Sequence, residues 1–469
     1  MKIKEIFKNI SYTLSSNLLT LLISALVILV VPKLVGVKEY GYFQLYLFYT
    51  TYVGIFPFGW IDGIYLRYGG KNYEDLDKQL FHSQFIMYVV SQCLIAIGII
   101  LTVIFFVADP QKKIVLLLTA LCLIFFNVRA FVLFILQATN RISEYASITI
   151  QDRVIYLIVI VFVLLFGERS FIALAIADLV AKCWTMLYSL YVCRDFVSCR
   201  VTKFVLSVRE LWLNVSSGIK LLIANFASLL IIGSIRFAIE KFWGVQTFGK
   251  VALTLSISSL AMTFVSAISL VLFPILRRSK RSKFHDTYIT IRDITLITLL
   301  FFLFLYYPIE VILPMWLPKY NESLVYLSVL FPMCFYEGKF ELLTNTFMKT
   351  LRLENNLLII NCFSVLLSIS LIFVNIIFFH KLNAMIFLII FILAFRSTLG
   401  EIIVSKKLNV HFVVDILGEN IMAFCFILMA WNWTYLRSFI GYLIIFILYL
   451  WTKKNTLKRI FKYIESARR

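Results

Sequence analysis

Apolar runs of about twenty residues recur from one end of the chain to the other, separated by short polar links. At ~1.5 Å per residue, each run is long enough as a helix to cross a ~30 Å hydrocarbon layer. Lipid offers no hydrogen-bond partners to a backbone, so such runs fold as helices, and the alternating pattern of a membrane β-barrel is missing. The pattern predicts spans at residues 10–31, 41–65, 81–107, 114–137, 146–166, 171–193, 216–239, 249–276, 294–313, 325–348, 357–379, 383–404, 412–433 and 436–452, fourteen in all. The links Gly167–Ser170 and His380–Leu382 are short enough to force tight antiparallel hairpins, and prolines at Asp109-Pro110 and within Leu313–Pro318 end other spans.

Composition rules out a soluble domain of any size. Of 469 residues, 61% are hydrophobic and 15% charged, whereas soluble domains carry ~45–50% and ~25%. The first span follows the basic Met1–Lys8 segment. Its apolar stretch, Leu18–Val31, lacks a small-residue cleavage site and runs on to Pro32, so it reads as a retained span rather than a signal peptide. The net charge of +20 is mostly topology. With the N-terminus inside, cytoplasmic segments hold 28 of the 45 Lys and Arg, the opposite loops 10 and the spans 7. This positive-inside bias puts both termini in the cytoplasm. A nucleic-acid partner is excluded, because no folded soluble face carries the charge. The C-tail Lys453–Arg469 sets Leu457, Ile460, Phe461 and Ile464 at helical spacing among basic residues; it is either a helix lying along anionic lipid or a frayed tail. The eight cysteines lie mostly in apolar runs without metal-ligand spacing, so they imply neither a metal site nor disulfides.

A weak internal repeat gives the domain organisation. An offset of 208 places Gly36-Val37-Lys38-Glu39-Tyr40-Gly41 over Gly244-Val245-Gln246-Thr247-Phe248-Gly249, and Asn17 over Asn225. An offset of 211 places Gln137–Tyr145 over Met348–Asn356 and matches Arg141 to Arg352. Six spans separate the copies, so both face the same way, as in transporters whose parallel repeats are related by an axis along the membrane normal. The expected architecture is all-α: an N-terminal lobe at 1–193 (spans 1–6), a cytoplasmic linker at 194–215, a C-terminal lobe at 216–404 (spans 7–12), and spans 13–14 with a basic tail at 405–469.

Gly36-Val37-x-x-Tyr40-Gly41, then Phe58-Gly59-x-x-x-Gly63-x-x-x-Arg67-Tyr68-Gly69-Gly70, then Gln137-Ala138-x-Asn140-Arg141 resemble the pattern of Wzx-type polysaccharide flippases. These belong to the multidrug/oligosaccharidyl-lipid/polysaccharide exporter superfamily. The resemblance implies a two-lobed protein of the bacterial inner membrane. It would move undecaprenyl-diphosphate-linked oligosaccharide from the cytoplasmic to the periplasmic leaflet by alternating access, for O-antigen or capsule synthesis. Membrane lipids and other polysaccharide-assembly membrane proteins are its expected neighbours. The resemblance also implies a cavity lined by spans 1, 2, 4, 5, 7, 8, 10 and 11.

Charge inside a span is costly and faces a bundle interior or water. Seven cations fall inside the spans: Arg129, Arg153, Lys182, Lys220, Arg236, Lys339 and Arg396. Asp178 and Lys182, at i,i+4, are expected to neutralise each other. Lys220 and Arg236 lie near span ends and either snorkel or face the cavity. Arg129 has no acid within a turn, and Glu401 is too far round the helix to serve Arg396. Taken with the resemblance, Arg129, Arg153, Lys220, Arg236 and Lys339 become candidate cavity cations for a diphosphate, and Lys182 and Arg396 are demoted. Asn17 and Asn225 either bond sugar hydroxyls or glue helices together. Glu337 and Glu341 share a face of the tenth span, with Lys339 pointing elsewhere. Two carboxylates so placed raise one another's pKa, which suits proton coupling or gating; an internal salt-bridge brace is the other reading.

No catalytic set, phosphate-binding loop or cofactor motif is present in the sequence, and the coupling ion is left open between a proton and sodium. A multidrug exporter of the same fold would want an acidic cavity. A membrane polysaccharide polymerase would want catalytic groups in sizeable periplasmic loops. Alkaline phosphatase fused after Lys71, Lys349 or Lys407 is expected to be inactive, and fused after Lys113 or His380 to be active; the converse pattern overturns the orientation.

Overall fold

The structure is a computed structural model that describes residues 3–198, 207–278, 284–410 and 413–454, and among these there are helices and no strand. Residues 455–469 of the amphipathic C-tail and residues 279–283 lie outside the described residues. Ten described helices are long and apolar enough to cross a membrane, and one of them, Val208–Leu260, is long enough for more than one crossing. Its parent helix, Val208–Arg278, breaks at Gly244 (φ 82°) and so supplies spans 7 and 8. Span 1 is Ile3–Leu34. Span 2 crosses in pieces, Val37–Thr51 and Trp60–Tyr68. Span 10 does the same between Asn321 and Thr350, with a π-helical turn at Phe340–Asn345. The fourteen expected spans are therefore all present. Span 7 begins at Val208 rather than 216, so the last eight residues of the expected linker are helix.

Helix starts follow from local chemistry. The first turn of a helix has unpaired N–H groups, and a carboxylate or hydroxyl just before it accepts from them. Asp77 accepts from the Gln79 and Leu80 amides at the start of span 3, Lys78–Phe106. Asp109 does so for span 4, Pro110–Ala138, where Pro110 has no N–H to satisfy. Ser170 caps span 6, Phe171–Val192, and Glu39 accepts from the Phe171 amide at 2.9 Å.

Packing divides the described chain into two compact units. One is Met1–Phe226 with Gly244–Gly249, the other Ala227–Trp243 with Lys250–Arg469. Within the first unit, the glycines of the sequence motifs are contact points. A methyl group on Gly63 would lie 1.8 Å from the Asn214 carbonyl oxygen, and one on Gly218 would lie 2.0 Å from the Gly59 carbonyl oxygen. One turn on, Arg67 Nη1 donates to Glu210 Oε2 (2.8 Å) and Asn214 Oδ1 (2.5 Å). Residues 59, 63 and 67 thus form a stripe that meets 218, 214 and 210 in antiparallel order, with backbone against backbone and a charge pair at one end. The two copies of the repeat motif meet each other in the same way. A methyl on Gly249 would lie 2.5 Å from Gly41 Cα, and the Phe48 and Phe248 rings pack edge-to-face at 5.4 Å.

Gly63→Ala should lower the thermal stability of the detergent-purified protein by about 1–3 kcal/mol or prevent folding, because backbone cannot yield as a side chain can. Gly98→Ala, with nothing within 4 Å of the added carbon, should leave it unchanged. Equal melting temperatures for the two variants would contradict the contact.

Candidate functional site

In the first unit the intramembrane charges are paired across helices. Arg129 in span 4 donates to Asp152 Oδ1 of span 5, Ile142–Leu165, at 2.6 Å, and to Thr185 Oγ1 of span 6 at 3.0 Å. Its acid is thus on another helix, where spacing along its own span gave none. Asp178 holds Lys182, as expected, and also accepts from the Tyr46 hydroxyl of span 2 at 2.7 Å. Arg153 remains 42% exposed, with its Nε 3.9 Å from Asp152 Oδ2. Lys220 and Asn225 are exposed on span 7. The side chain of Asn17 lies outside the described residues. In the second unit, Arg236 is half-buried, one helical turn before the buried Glu240.

Polar links beyond the spans tie the first unit at one end. Tyr73 donates to Asp195 Oδ1 at 2.6 Å and Lys78 approaches Asp195 Oδ2 at 3.2 Å. Burial alone would raise the Asp195 carboxyl, but these hydrogen bonds outweigh it and hold the group below the ordinary carboxylate value.

The second unit contains a cluster that the sequence did not show. Arg292 Nε lies 2.5 Å from Glu401 Oε1, and Arg292 Nη2 lies 2.6 Å from Glu419 Oε1. Lys339 Nζ lies 2.8 Å from Glu419 Oε2 and also pairs with Glu401. Each of the four side chains is at most 1% exposed. Span 9 supplies Arg292 from Phe284–Phe302, span 10 Lys339, span 12 Glu401 from Leu382–Lys407, and span 13 Glu419 from Val413–Asn432. Two cations and two anions cancel. Farther out, Asp415 pairs with Lys453 at 2.7 Å, just beyond span 14, Tyr435–Thr452. Lys339 is therefore enclosed with its charge compensated. Arg292 lies two residues before the expected start of span 9 at 294 and so was not among the intramembrane cations; the signal that would have found it is the two intramembrane acids, Glu401 and Glu419, left without cations.

Arg396 is the centre of a second node. Its Nε donates to Asn361 Oδ1 (3.0 Å), its Nη2 to Ser228 Oγ (2.8 Å) and its Nη1 to Glu337 Oε1 (3.1 Å). The guanidinium sits 3.7 Å from the centre of the Phe340 ring. Span 11, Glu354–Val374, supplies Asn361. The structure thus joins Glu337 to a cation the sequence reading had demoted. Glu341 accepts from Asn345 Nδ2 at 2.8 Å, across the π-helical turn. Between Leu327 and Met348 the accessible residues are Glu337, Glu341 and Asn345, and every other residue there is buried. These three stand at i, i+4 and i+8, so span 10 presents a single, polar accessible stripe. Charged groups inside a span face a bundle interior or a water-filled cavity rather than lipid, and the stripe is of that kind.

The two nodes are related. Arg129, Asp152 and Thr185 precede Glu337, Asn361 and Arg396 by 208, 209 and 211 residues, the offsets that register the repeat. The same three-helix arrangement recurs with the sign inverted on the first helix, Glu337 for Arg129, with Asn361 in place of Asp152 and the arginine moved to the third helix, Arg396 for Thr185. Among the described residues no group of three or more His, Cys, Asp or Glu is arranged to hold a metal ion.

The fold is that of known transporters. An inward-facing multidrug-resistance MATE-family transporter of the MOP superfamily aligns with TM-score 0.63 at 12% identity, covering 84% of this chain and 98% of that one. The lipid II flippase MurJ in an inward closed conformation aligns with TM-score 0.62 at 13% identity, covering 96% and 100%. A MOP-superfamily transporter from Pyrococcus furiosus, described as having a binding pocket of reverse polarity, aligns with TM-score 0.58 at 13% identity, covering 86% and 96%. A search of curated proteins finds no match. Fold and enclosed charge define the class: a multi-pass membrane protein built as the MOP-superfamily transporters are. The model of the polysaccharide biosynthesis protein family matches residues 6–280, more than half of the chain, and the protein belongs to that family.

Lys339→Met leaves two buried carboxylates facing one arginine and should cost about 3–5 kcal/mol of stability. Adding Glu401→Gln should recover much of the loss, because the cluster is again neutral. Thermal unfolding of the purified variants checks this, and a double variant no more stable than the single one contradicts the pairing.

Proposed function

We propose that the protein is a flippase. It carries undecaprenyl-diphosphate-linked oligosaccharide units from the cytoplasmic to the periplasmic leaflet of a bacterial inner membrane by alternating access, for O-antigen or capsule synthesis. Family membership over residues 6–280 carries this reading. The alignment with a lipid II flippase over 96% of the chain supports a lipid-linked cargo, and the 28-to-10 distribution of Lys and Arg supports cytoplasmic termini. Arg153 and Lys220, which are accessible, and Arg236, which is half-buried, are our candidates for the diphosphate, with Asn225 for sugar hydroxyls. Glu337 and Glu341, on the polar stripe of span 10, are candidates for proton coupling. The reading needs no catalytic residue.

Those two accessible carboxylates also favour a second reading, export of organic cations. Deletion in the native host separates the two. A flippase leaves complete lipid-linked units on the cytoplasmic leaflet and depletes surface polysaccharide. Unaltered surface polysaccharide with new sensitivity to cationic dyes would sink the flippase reading in favour of the exporter.

A further inference from the structure

We propose that Arg396 is an anion-binding residue whose resting ligand is the Glu337 carboxylate, and that an anionic group of the cargo, a phosphate or diphosphate, takes the place of Glu337. This rests on the flippase reading and deepens it by assigning a binding residue on span 12.

Four observations carry it. The guanidinium is fixed before any ligand arrives, by Asn361, Ser228 and the face of Phe340, so the fork is already oriented. Its acidic partner is different in kind from those of the other buried arginines. Arg129–Asp152 and both Arg292–glutamate contacts lie at 2.5–2.6 Å, whereas Arg396 reaches Glu337 through one contact of 3.1 Å. Charge-assisted bonds normally fall near 2.7–2.9 Å, so this contact is longer than those three, although Arg292 also has more distant acids in Asp293 at 3.7 Å and Asp415 at 3.8 Å. Third, Glu337 is 20% exposed while Arg396 is 4% exposed. The carboxylate is therefore the more accessible member of the pair. Fourth, Glu337 lies three residues before the π-helical turn at Phe340–Asn345, a local distortion of the kind found frequently at functional sites.

The exchange swaps one anionic partner of the guanidinium for another, and the displaced carboxylate keeps its charge. A phosphate oxygen replaces one carboxylate oxygen on Nη1, the second N–H of each terminal nitrogen gives room for a forked contact, and Glu337 turns toward the stripe and is hydrated there. The inverted node of the first unit does not offer this: Asp152, the acid on Arg129, is 13% exposed and also accepts from Thr185. Cargo binding at Arg396 would therefore remove one of the two ion pairs that join spans 10 and 12, leaving Lys339–Glu401 in place, which links the presence of cargo to the face of span 10 that carries Glu337.

The test measures binding of undecaprenyl diphosphate to the full-length protein in lipid nanodiscs, with undecaprenol and inorganic diphosphate as separate arms. Glu337→Gln removes the competing carboxylate and should tighten binding of the lipid diphosphate by roughly tenfold, while Arg396→Gln should weaken it by at least as much, the scale seen for close charge pairs at interfaces. Arg396→Lys keeps charge without the fork and should fall between. Binding of inorganic diphosphate that follows the same order supports recognition of the diphosphate itself; an order seen only with the lipid form supports the headgroup in place. The exchanged pair Glu337→Arg with Arg396→Glu decides against a brace: restored binding overturns the proposal, and continued loss in a protein of unchanged melting temperature supports it. Glu337→Gln weakening binding as much as Arg396→Gln also overturns it. Wild-type binding that no variant changes overturns this inference alone. Failure of the wild type to bind the lipid diphosphate, with binding of a cationic dye, overturns the flippase reading and this inference with it.

Discussion

An ionisable side chain inside a membrane must find its counter-charge on another helix, and this requirement determines which helices of the protein are held together. A charge at the centre of a span costs about 2.5–3.5 kcal/mol on insertion scales, and leaving it alone after folding would add the full desolvation cost. The chain carries several such charges and satisfies them by joining spans that are distant in sequence. Arg129 and Asp152 tie spans 4 and 5, with Thr185 of span 6. Arg292, Lys339, Glu401 and Glu419 tie spans 9, 10, 12 and 13. Through Glu419 the last pair of spans belongs to the second unit, because removing it would strand two cations on one acid.

Small residues do the complementary work. Apolar side chains gain nothing by leaving lipid for another helix, so helices approach closely only where backbones can touch. Gly59 and Gly63 provide one such place against Asn214 and Gly218, and Gly41 with Gly249 provides another. Both belong to the motifs that suggested the family. The motif Gly-x-x-x-Gly-x-x-x-Arg is therefore a docking edge: two glycines admit the backbone of span 7, and Arg67 fixes the register by bonding Glu210 and Asn214.

The spans were legible because lipid imposes one length and one periodicity on every crossing helix. The breaks within spans 2 and 10 were not legible, since a π-helical turn at Phe340–Asn345 leaves no mark in composition. Local pairing at i,i+4 was readable, and Asp178 with Lys182 is found as expected. Pairing between helices was not, because one sequence gives depth but not which faces meet. Arg396 was demoted because the resemblance leaves span 12 outside the cavity-lining set; that its partner is Glu337, 59 residues away, was not readable from spacing. Lys339 was expected to point away from Glu337 and Glu341, and it does, but the resemblance made it a cavity cation, whereas it is enclosed in the cluster with Glu401 and Glu419.

That divergence at span 10 is informative. Glu337 and Lys339 are two residues apart and project to opposite sides, one toward Arg396, the other toward Glu401 and Glu419. The cluster side is closed, neutral and held by short contacts, which suits a fixed anchor. The Arg396 side has one longer contact and an accessible carboxylate, which suits exchange. A helix anchored on one face and exchangeable on the other can respond to a ligand without losing its place in the bundle. The charge inversion between the repeats follows the same logic. The first unit keeps its acid enclosed with the arginine, whereas the second puts its acid on the polar stripe, so the same inherited three-helix node serves as a brace in one unit and has the makings of a receptor in the other.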